Sequence, residues 1–121
     1  SFWEGADFAQ QDKVIEVITR LPFDNPKYPF YQKIESLFSK QGKSTFDSYS
    51  LPMMVLRFKQ AIGRAQRRPE QRSAILLMDN RPLVKSYGKL FIKEVSQEVT
   101  LRHAPFKQIK EDIQEFLEKE C

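Results

Sequence analysis

The stretch that decides the fold runs from Ser50 to Asp79 and reads SLPMMVLRFKQAIGRAQRRPEQRSAILLMD. Its first part places apolar side chains three and four residues apart. This spacing predicts an amphipathic helix over 51–68, with Ser50 as its N-cap. Its last part, Ser73–Met78, is a short continuous apolar run of the kind found in buried parallel strands. A helix that leads into a buried strand is the repeating unit of an α/β layer.

The flanking sequence extends this alternation of strands and helices. A second strand is predicted over Lys13–Leu21, where β-branched residues are concentrated, and Pro22 ends it. Further helices are predicted over 30–38, 84–92 and 105–120, a short strand over 98–102, and a loop over 41–49. The pattern predicts an α/β fold with a small, mostly parallel sheet flanked by helices.

Composition limits the classes of function. The chain has 121 residues, enough for one small domain, and its only cysteine and histidine are Cys121 and His103. A disulfide within the chain and a multi-cysteine zinc or iron–sulfur site are therefore excluded for these residues, and we predict no metal site. The longest apolar run, Ala74–Met78, is too short to span a membrane. We expect a cytoplasmic protein and, because the chain opens without methionine, a fragment of a longer one.

Positive charge is concentrated in the middle of the chain. The net charge is +4, yet residues 57–93 hold ten Lys or Arg against only Glu70 and Asp79. A basic cluster of this kind indicates a polyanionic partner, such as a nucleotide or a nucleic acid. The alternative is a set of solvated helix faces, which lysine-rich stretches usually form.

One side of the predicted central helix is a polar row. Its members follow each other at steps of three and four residues, and they are Arg57, Gln60, Arg64 and Arg67. Two arginines one helical turn apart suit a triphosphate whose γ-phosphoryl oxygens gain charge during transfer. Gly63 lies in the same helix, where glycine costs about 1 kcal/mol relative to alanine. We therefore predict a close approach by another element at Gly63.

Four segments, in this order, resemble the DinG and XPD group of superfamily 2 helicases. Residues 1–8, SFWEGADF, are similar to its motif V, and 21–29, LPFDNPKYP, to the segment that follows it. Residues 60–67, QAIGRAQR, resemble motif VI, and residues 76–81, LLMDNR, resemble a strand ending in Asp-x-Arg. The bacterial DinG branch is the more similar of the two.

The resemblance implies a partial RecA-like domain of the P-loop NTPase type. Residues 1–121 would form the C-terminal part of the second such domain of an ATP-dependent DNA helicase. ATP with Mg²⁺ would be bound mainly by an upstream domain, because no Gly-x-x-x-x-Gly-Lys-Ser/Thr motif occurs in this sequence. The implied catalytic residues are Arg64 and Arg67. The residues implied for ATP binding and coupling are Glu4, Gly5, Asp7, Gln60 and Gly63. We expect the fragment alone not to hydrolyse ATP.

Single-stranded DNA is the second partner that the resemblance implies. We predict that Arg72, Lys85 and Lys89 contact its phosphates and that Trp3 stacks on a base. Solvated lysines and core aromatic residues are the alternative at these positions. The terminal helix, 105–120, is predicted to be a structural cap.

Two loops depart from the pattern of the group. Where the group has an Asp-x-Gly turn after motif VI, this chain has Gln71-Arg72-Ser73. Residues 9–12, AQQD, also lack the usual glycine. Because both departures fall in loops, we expect them to affect the motor rather than the fold.

Two other functions stay open. One is a DinG-like exonuclease whose helicase core is a nucleotide-responsive DNA-binding regulator without unwinding. The other is a small basic interaction domain with no ATP role. Upstream Walker motifs would separate the first two functions from the third, and an upstream acidic exonuclease cluster would favour the regulator. A thin sheet with exposed edges also predicts self-association.

Overall fold

The computed structural model describes residues 13–67 and 69–118. Within them two strands, β1 (Lys13–Ile18) and β2 (Arg72–Leu77), form a parallel sheet. Lys13 pairs with Arg72 at one end and Ile18 with Leu77 at the other. We call the end of the sheet with Lys13 and Arg72 the amino end, and the end with Ile18 and Leu77 the carboxyl end. The predicted α/β class with a parallel sheet is confirmed.

Helices complete the described chain. They are α1 (Pro29–Lys40), a π-helical turn (Phe46–Ser50), α2 (Leu51–Ala65), α3 (Arg81–Val84), α4 (Gly88–Val95) and α5 (Phe106–Glu118). α2 is the last helix in the connection between the two strands, and it packs against both of them and against α4. The predicted helix over 30–38 is confirmed as α1, one residue longer at its start and two at its end.

The apolar side of α2 forms most of the core. Its Met54 is fully buried, and its Phe58 meets Phe91 of α4 edge-to-face, with ring centroids 5.0 Å apart. The core cluster consists of Ile18, Leu21, Leu51, Met54, Val55, Phe58, Ile62, Phe91 and Val95. Each such side chain contributes about 1.5–3 kcal/mol when it is buried. The helical spacing seen in the sequence is therefore what attaches α2 to the sheet.

Both ends of α2 differ from the prediction. The helix ends at Ala65 rather than at residue 68, and Gln66 leaves the helical conformation at φ −115° and ψ 89°. The predicted N-cap role of Ser50 is wrong. Its backbone is already helical, and its hydroxyl is hydrogen-bonded to the Tyr31 hydroxyl at 3.0 Å. The π-helical turn, which occupies part of the predicted loop, continues directly into α2.

The single helix predicted over 84–92 is in fact two helices. Lys85 is extended, at φ −90° and ψ 153°, and separates α3 from α4. Gly88 approaches Pro82 so closely that a Cβ at this glycine would lie 1.9 Å from the Pro82 carbonyl oxygen. This close backbone contact sets the corner between α3 and α4, and the spacing of apolar residues could not reveal it.

The strand predicted over 98–102 is wrong. The N–H groups of Glu98 and Val99 both donate to the Val95 carbonyl oxygen, at 3.0 and 3.2 Å, so the chain forms a turn after α4. The terminal helix predicted over 105–120 is confirmed as α5. None of its residues is buried, and Phe106 is 65% exposed.

α5 reaches the amino end of the sheet through two contacts. The Lys13 ammonium donates to the Leu117 carbonyl oxygen at 2.7 Å, and the Arg72 guanidinium lies over the Phe116 ring, 5.5 Å from its centroid. A cation at the last turn of a helix is favourable because the helix dipole is negative there.

Candidate functional site

The segment that resembles motif VI ends at the amino end of the sheet. The Ser73 hydroxyl, close to the start of β2, lies 2.8 Å from the carbonyl oxygen of Ala65, the last residue of α2. Because the two strands are in register, β1 begins with Lys13 at the same end of the sheet. The end of α2 and the starts of both strands therefore lie together at the amino end of the sheet.

Three of the predicted ATP residues lie on α2. Gln60 and Gly63 are exposed, and Arg64 is half-buried in the last turn. Nothing lies within 4 Å of the position that a Cβ would take at Gly63. The close approach predicted there is thus not made by any element in 13–67 or 69–118. This side of α2 is open in the described structure.

Arg67 lies beyond α2, so it does not continue the helical row that Gln60 and Arg64 begin. Its backbone N–H donates to the Gln71 side-chain oxygen at 2.7 Å. Gln71 is 3% exposed and is one of the buried polar residues of the domain. The position of Arg67 is therefore set by a side chain of the loop and not by the helix, contrary to the predicted helix over 51–68.

A buried carboxyl group faces the same helix. Glu16 of β1 is 3% exposed and lies on the strand face of Val14 and Ile18, which packs against α2. Its Oε2 atom accepts no hydrogen bond from the residues that the structure describes. Burial raises the pKa of Glu16, and the positive charge of Arg64 opposes that rise. No sequence signal pointed to this residue, because an acidic side chain in a strand is normally placed on the solvent side.

Arg57, the first member of the predicted row, has a structural partner. Its guanidinium donates to Asp24 Oδ1 at 2.8 Å and to the Pro22 carbonyl oxygen at 3.3 Å. Both side chains are partly buried. Arg57 therefore ties α2 to the loop after β1, and its guanidinium has a structural role.

The predicted DNA-contacting residues do not lie together. Arg72 begins β2 and lies against α5, whereas Lys85 and Lys89 follow the carboxyl end of the same strand. β2 alone spans about 17 Å at about 3.3 Å per residue. A phosphate track through all three residues would therefore have to run along the whole length of β2, and these DNA contacts stay a prediction. Lys85 and Lys89 are exposed and remain a local basic pair.

The carboxyl end of the sheet holds a hydrogen-bonded ion pair. Asp79 accepts the Leu21 N–H at 2.9 Å, the Arg81 N–H at 3.0 Å and the Arg81 guanidinium. Burial by itself raises the pKa of Asp79, but these hydrogen bonds outweigh it and lower the pKa to about 2. The Arg81 guanidinium also lies over the Phe23 ring, 5.2 Å from its centroid.

An open cleft of about 600 Å³ lies beside this pair and includes Arg20, Asp24 and Arg81 in its wall. Phe23 also lines the cleft, but its ring is in contact with Phe46, Tyr87 and Arg81. It is therefore not an open platform for a base. Arg81, the arginine of the Asp-x-Arg segment, has a structural role, because its guanidinium is hydrogen-bonded to Asp79 at the carboxyl end.

Comparison with known proteins decides the family. The helicase C-terminal domain family matches residues 1–98, most of the chain. This chain belongs to the helicase C-terminal domain family. The resemblance drawn from its four motifs is thereby confirmed at the level of the family.

Curated relatives of this helicase C-terminal domain come from several bacteria. It is 40% identical over 91 residues to the 3'-5' exonuclease DinG of Bacillus subtilis, covering 75% of this chain and 10% of that protein. It is 35% identical over 116 residues to the 3'-5' exonuclease DinG of Staphylococcus aureus, covering 96% of this chain and 12% of that protein. It is 33% identical over 92 residues to the ATP-dependent DNA helicase YoaA of Escherichia coli, covering 76% and 14%. No solved structure matches it.

The chain spans about 10–14% of the length of these relatives. Glu4, Gly5, Asp7 and Trp3, which were predicted from the motif V resemblance, lie outside the residues that the structure describes. The family match ends at residue 98, so α5 follows the matched region. Across 13–67 and 69–118 no group of three metal-ligating side chains comes together, and no helix has the length and apolar character of a membrane span.

Proposed function

We propose that this helicase C-terminal domain supplies the arginines of the ATP site in a DNA helicase of the DinG type. The observation that carries the proposal is the contrast among arginines. Arg57 and Arg81 are each bonded to an aspartate, whereas Arg64 makes no ion pair within the described residues. A half-buried guanidinium at the end of a helix, without an ion-pair partner, suits an anionic ligand.

The proposed mechanism uses Arg64 and Arg67 as electrostatic groups. ATP with Mg²⁺ binds between this domain and a second RecA-like domain that holds the metal and the phosphates. Charge develops on the γ-phosphoryl oxygens during transfer, and the two guanidiniums stabilise it as the domains close. Gln60 would orient the site from the exposed side of α2, and Glu4, Gly5 and Asp7 would couple it to DNA. Closing and opening of the domains then moves the protein along single-stranded DNA.

Relatives named ATP-dependent DNA helicase support a nucleotide-dependent DNA enzyme as the whole protein. We expect that protein to work in the cytoplasm, where bacteria keep their DNA. We also expect the 121-residue chain alone to hydrolyse no ATP, since the resemblance assigns it half of a site. Turnover by the purified chain that is lost in Arg64→Ala would contradict this expectation.

The test is ATP hydrolysis by the full-length protein with and without single-stranded DNA. Arg67→Ala and Arg64→Ala are each expected to lower the stimulated kcat by about a thousandfold or more, the usual effect of removing an arginine finger. Arg102→Ala is the matched control, because Arg102 is an exposed arginine whose partner, Asp112, lies on α5. Wild-type kcat in both Arg64 and Arg67 variants would reject the proposal.

The DNA part of the proposal rests on Lys85 and Lys89, which are exposed and near in sequence. If Lys89 contacts a phosphate, Lys89→Ala lowers the dependence of log affinity on log salt concentration by about 0.7 for single-stranded DNA. Lys107→Ala, on α5, is the control with the same charge change. An unchanged salt slope in Lys89→Ala would remove this lysine from the DNA surface.

The nuclease-regulator function is the second candidate. It is favoured by two of the relatives reported above, one 40% identical and one covering 96% of this chain, both of which are named 3'-5' exonuclease DinG. In that case nucleotide binding would change the exonuclease rate of the full-length protein without unwinding a duplex. A strand-displacement assay beside a digestion assay, each with and without ATP, separates the two candidates.

A further inference from the structure

The connection between α2 and β2 contains a polar cluster around the buried side chain of Gln71, which the family resemblance does not supply. It lies where the helicase group has an Asp-x-Gly turn and this chain has Gln71-Arg72-Ser73. Gln71 is 3% exposed, and a buried amide must have its hydrogen bonds made within the protein. The departure from the family pattern therefore has a structural consequence that can be followed atom by atom.

Gln71 holds both residues that follow α2. The helical ladder ends with the Gln66 N–H, which donates to the Ile62 carbonyl oxygen at 3.0 Å. The next N–H along the chain, that of Arg67, donates instead to the Gln71 side-chain oxygen at 2.7 Å. In return, the Gln66 side-chain amide donates to the Gln71 carbonyl oxygen. The two glutamines thus close a ring of hydrogen bonds around the start of the connection.

Ser73 fastens the same connection from the strand side. Its hydroxyl lies 2.8 Å from the Ala65 carbonyl oxygen and is also hydrogen-bonded to the Gln66 side-chain oxygen. The last carbonyl groups of a helix have no helical partner, so a hydroxyl that reaches one of them stabilises the end of the helix. Ser73 and Gln71 together fix the point at which the chain leaves α2.

From this geometry we propose that Gln71 is a positioning residue for Arg67. Its side-chain oxygen, by accepting the Arg67 N–H, fixes the backbone from which the guanidinium is directed towards a nucleotide. The proposal rests on the proposed function, in which Arg67 stabilises the transferring phosphoryl group. Such a group must be held within a fraction of an ångström, and a displacement of about 1 Å can cost about a hundredfold in rate. Arg67 lies beyond the last residue of α2, and its backbone N–H is bonded to a side chain of the loop.

The test compares two substitutions at Gln71 in the full-length protein. Gln71→Met keeps the length of the side chain and removes the acceptor, whereas Gln71→Glu keeps an acceptor for the Arg67 N–H. We expect Gln71→Met to lower the DNA-stimulated kcat by about ten- to a hundredfold, with the KM for ATP changed by less than about threefold. Gln71→Glu should recover most of the rate. Gln108→Met, at an exposed position of α5, is the matched control.

A double variant separates positioning from a general structural effect. If Gln71 acts through Arg67, Gln71→Met lowers kcat in the wild-type background but has no further effect in Arg67→Ala. Amide hydrogen exchange at Arg67, resolved to single residues by mass spectrometry, gives a readout independent of activity. We expect the Arg67 amide to exchange at least about tenfold faster in Gln71→Met and at the wild-type rate in Gln71→Glu.

Each outcome decides a different claim. Unchanged exchange at Arg67 in Gln71→Met, or an equal loss of kcat with and without Arg67, overturns the positioning role. A normal rate in Gln71→Met together with a large loss in Arg67→Ala also overturns it, while the arginine keeps its proposed function. A normal rate in Arg67→Ala rejects the proposed function, and the catalytic role of Gln71 falls with it.

Discussion

The two ends of the sheet use their arginines differently. At the carboxyl end Arg81 is bonded to Asp79, and nearby Arg57 is bonded to Asp24. At the amino end Arg64 makes no ion pair within the described residues, and Arg67 is held through its backbone. These arginines come from one basic stretch of sequence. The difference lies in the direct ion pairs of Arg57 and Arg81, which are made by aspartates that the fold brings within hydrogen-bond distance.

The two ends of the sheet also differ in how the burial of a carboxyl group is compensated. The Asp79 side chain is 8% exposed, and its hydrogen bonds compensate for its burial. Glu16, which faces α2 near Arg64, is as deeply buried, and its Oε2 has no hydrogen-bond donor among the described residues. Gly63 adds a flexible residue to the same helix. The carboxyl end is therefore expected to be optimised for stability, and the surroundings of Arg64 are not.

The largest effect is expected at the corner beyond the carboxyl end. In Gly88→Ala the new methyl group would lie 1.9 Å from the Pro82 carbonyl oxygen, so backbone must move. We expect the free energy of unfolding to fall by about 3 kcal/mol. Urea denaturation measures it, with Ser86→Ala at an exposed neighbouring position as the control. An unfolding midpoint like that of the wild type would show that the corner is not held by this contact.

A smaller loss of stability is expected from Asp79→Asn, which weakens the hydrogen bonds with Arg81 and Leu21. We expect a loss of about 2 kcal/mol at pH 7. Because the pKa of Asp79 is lowered from 3.8 to about 2, its stabilisation is fully present above about pH 4 and is lost as the pH falls through 2. The difference between variant and wild type should therefore shrink in that window.

Asp112→Asn is the control for this prediction, because Asp112 pairs with Arg102 at the surface. It should change stability by less than about 0.5 kcal/mol. If both variants lose the same stability, or if the loss in Asp79→Asn does not depend on pH between 4 and 2, the carboxyl end is not held by this ion pair.

Near Arg64, at Glu16, we expect a substitution to raise the free energy of unfolding rather than to lower it. Glu16→Leu replaces a buried carboxylate by an apolar side chain of similar size, and we expect a gain of about 1 kcal/mol at pH 7. Because burial raises the pKa of Glu16, the penalty is present at neutral pH, decreases as the pH falls through the raised pKa, and is absent below the ordinary value of 4.5. Stability measured against pH should show this gain decreasing, while Glu98→Leu at an exposed position shows no such trend. A loss of stability in Glu16→Leu would mean that Glu16 has a compensating partner.

The smallest effect is expected at Gly63. The position is helical and its Cβ direction is open, so Gly63→Ala should raise stability by up to about 1 kcal/mol. The same variant in the full-length protein tests the original prediction of a close approach. A normal ATPase rate would show that no other domain packs against Gly63, whereas a large loss in a more stable protein would place the second domain there.

The sequence predicted the strands and helices of the fold better than the segments that connect them. Periodicity located β1, β2, α1, α2 and α5, because the spacing of apolar residues indicates an apolar helix face or an apolar strand. It missed the π-helical turn before α2, the break at Lys85 and the turn that replaces the strand over 98–102. Each of these features depends on a hydrogen bond or a backbone contact. The spacing of apolar residues does not show which residues make such contacts.

The candidate site divides in the same way. The motif VI resemblance located Gln60, Gly63 and Arg64 on α2, and the helix places them as predicted. It could not show that Arg67 leaves the helix, since that depends on Gln71 reaching back across the loop.

By itself, the sequence determined the α/β class, the family and the arginines that stand in its motif, because these depend on local spacing and on residue identity. The tertiary structure alone decided which arginines are used inside the fold, that Glu16 is buried beside α2, and that Gln71 holds Arg67. The reason is physical. Hydrogen bonds and charge pairs act over a few ångströms, and only the folded chain brings residues 24 and 57, or 21 and 79, within that distance.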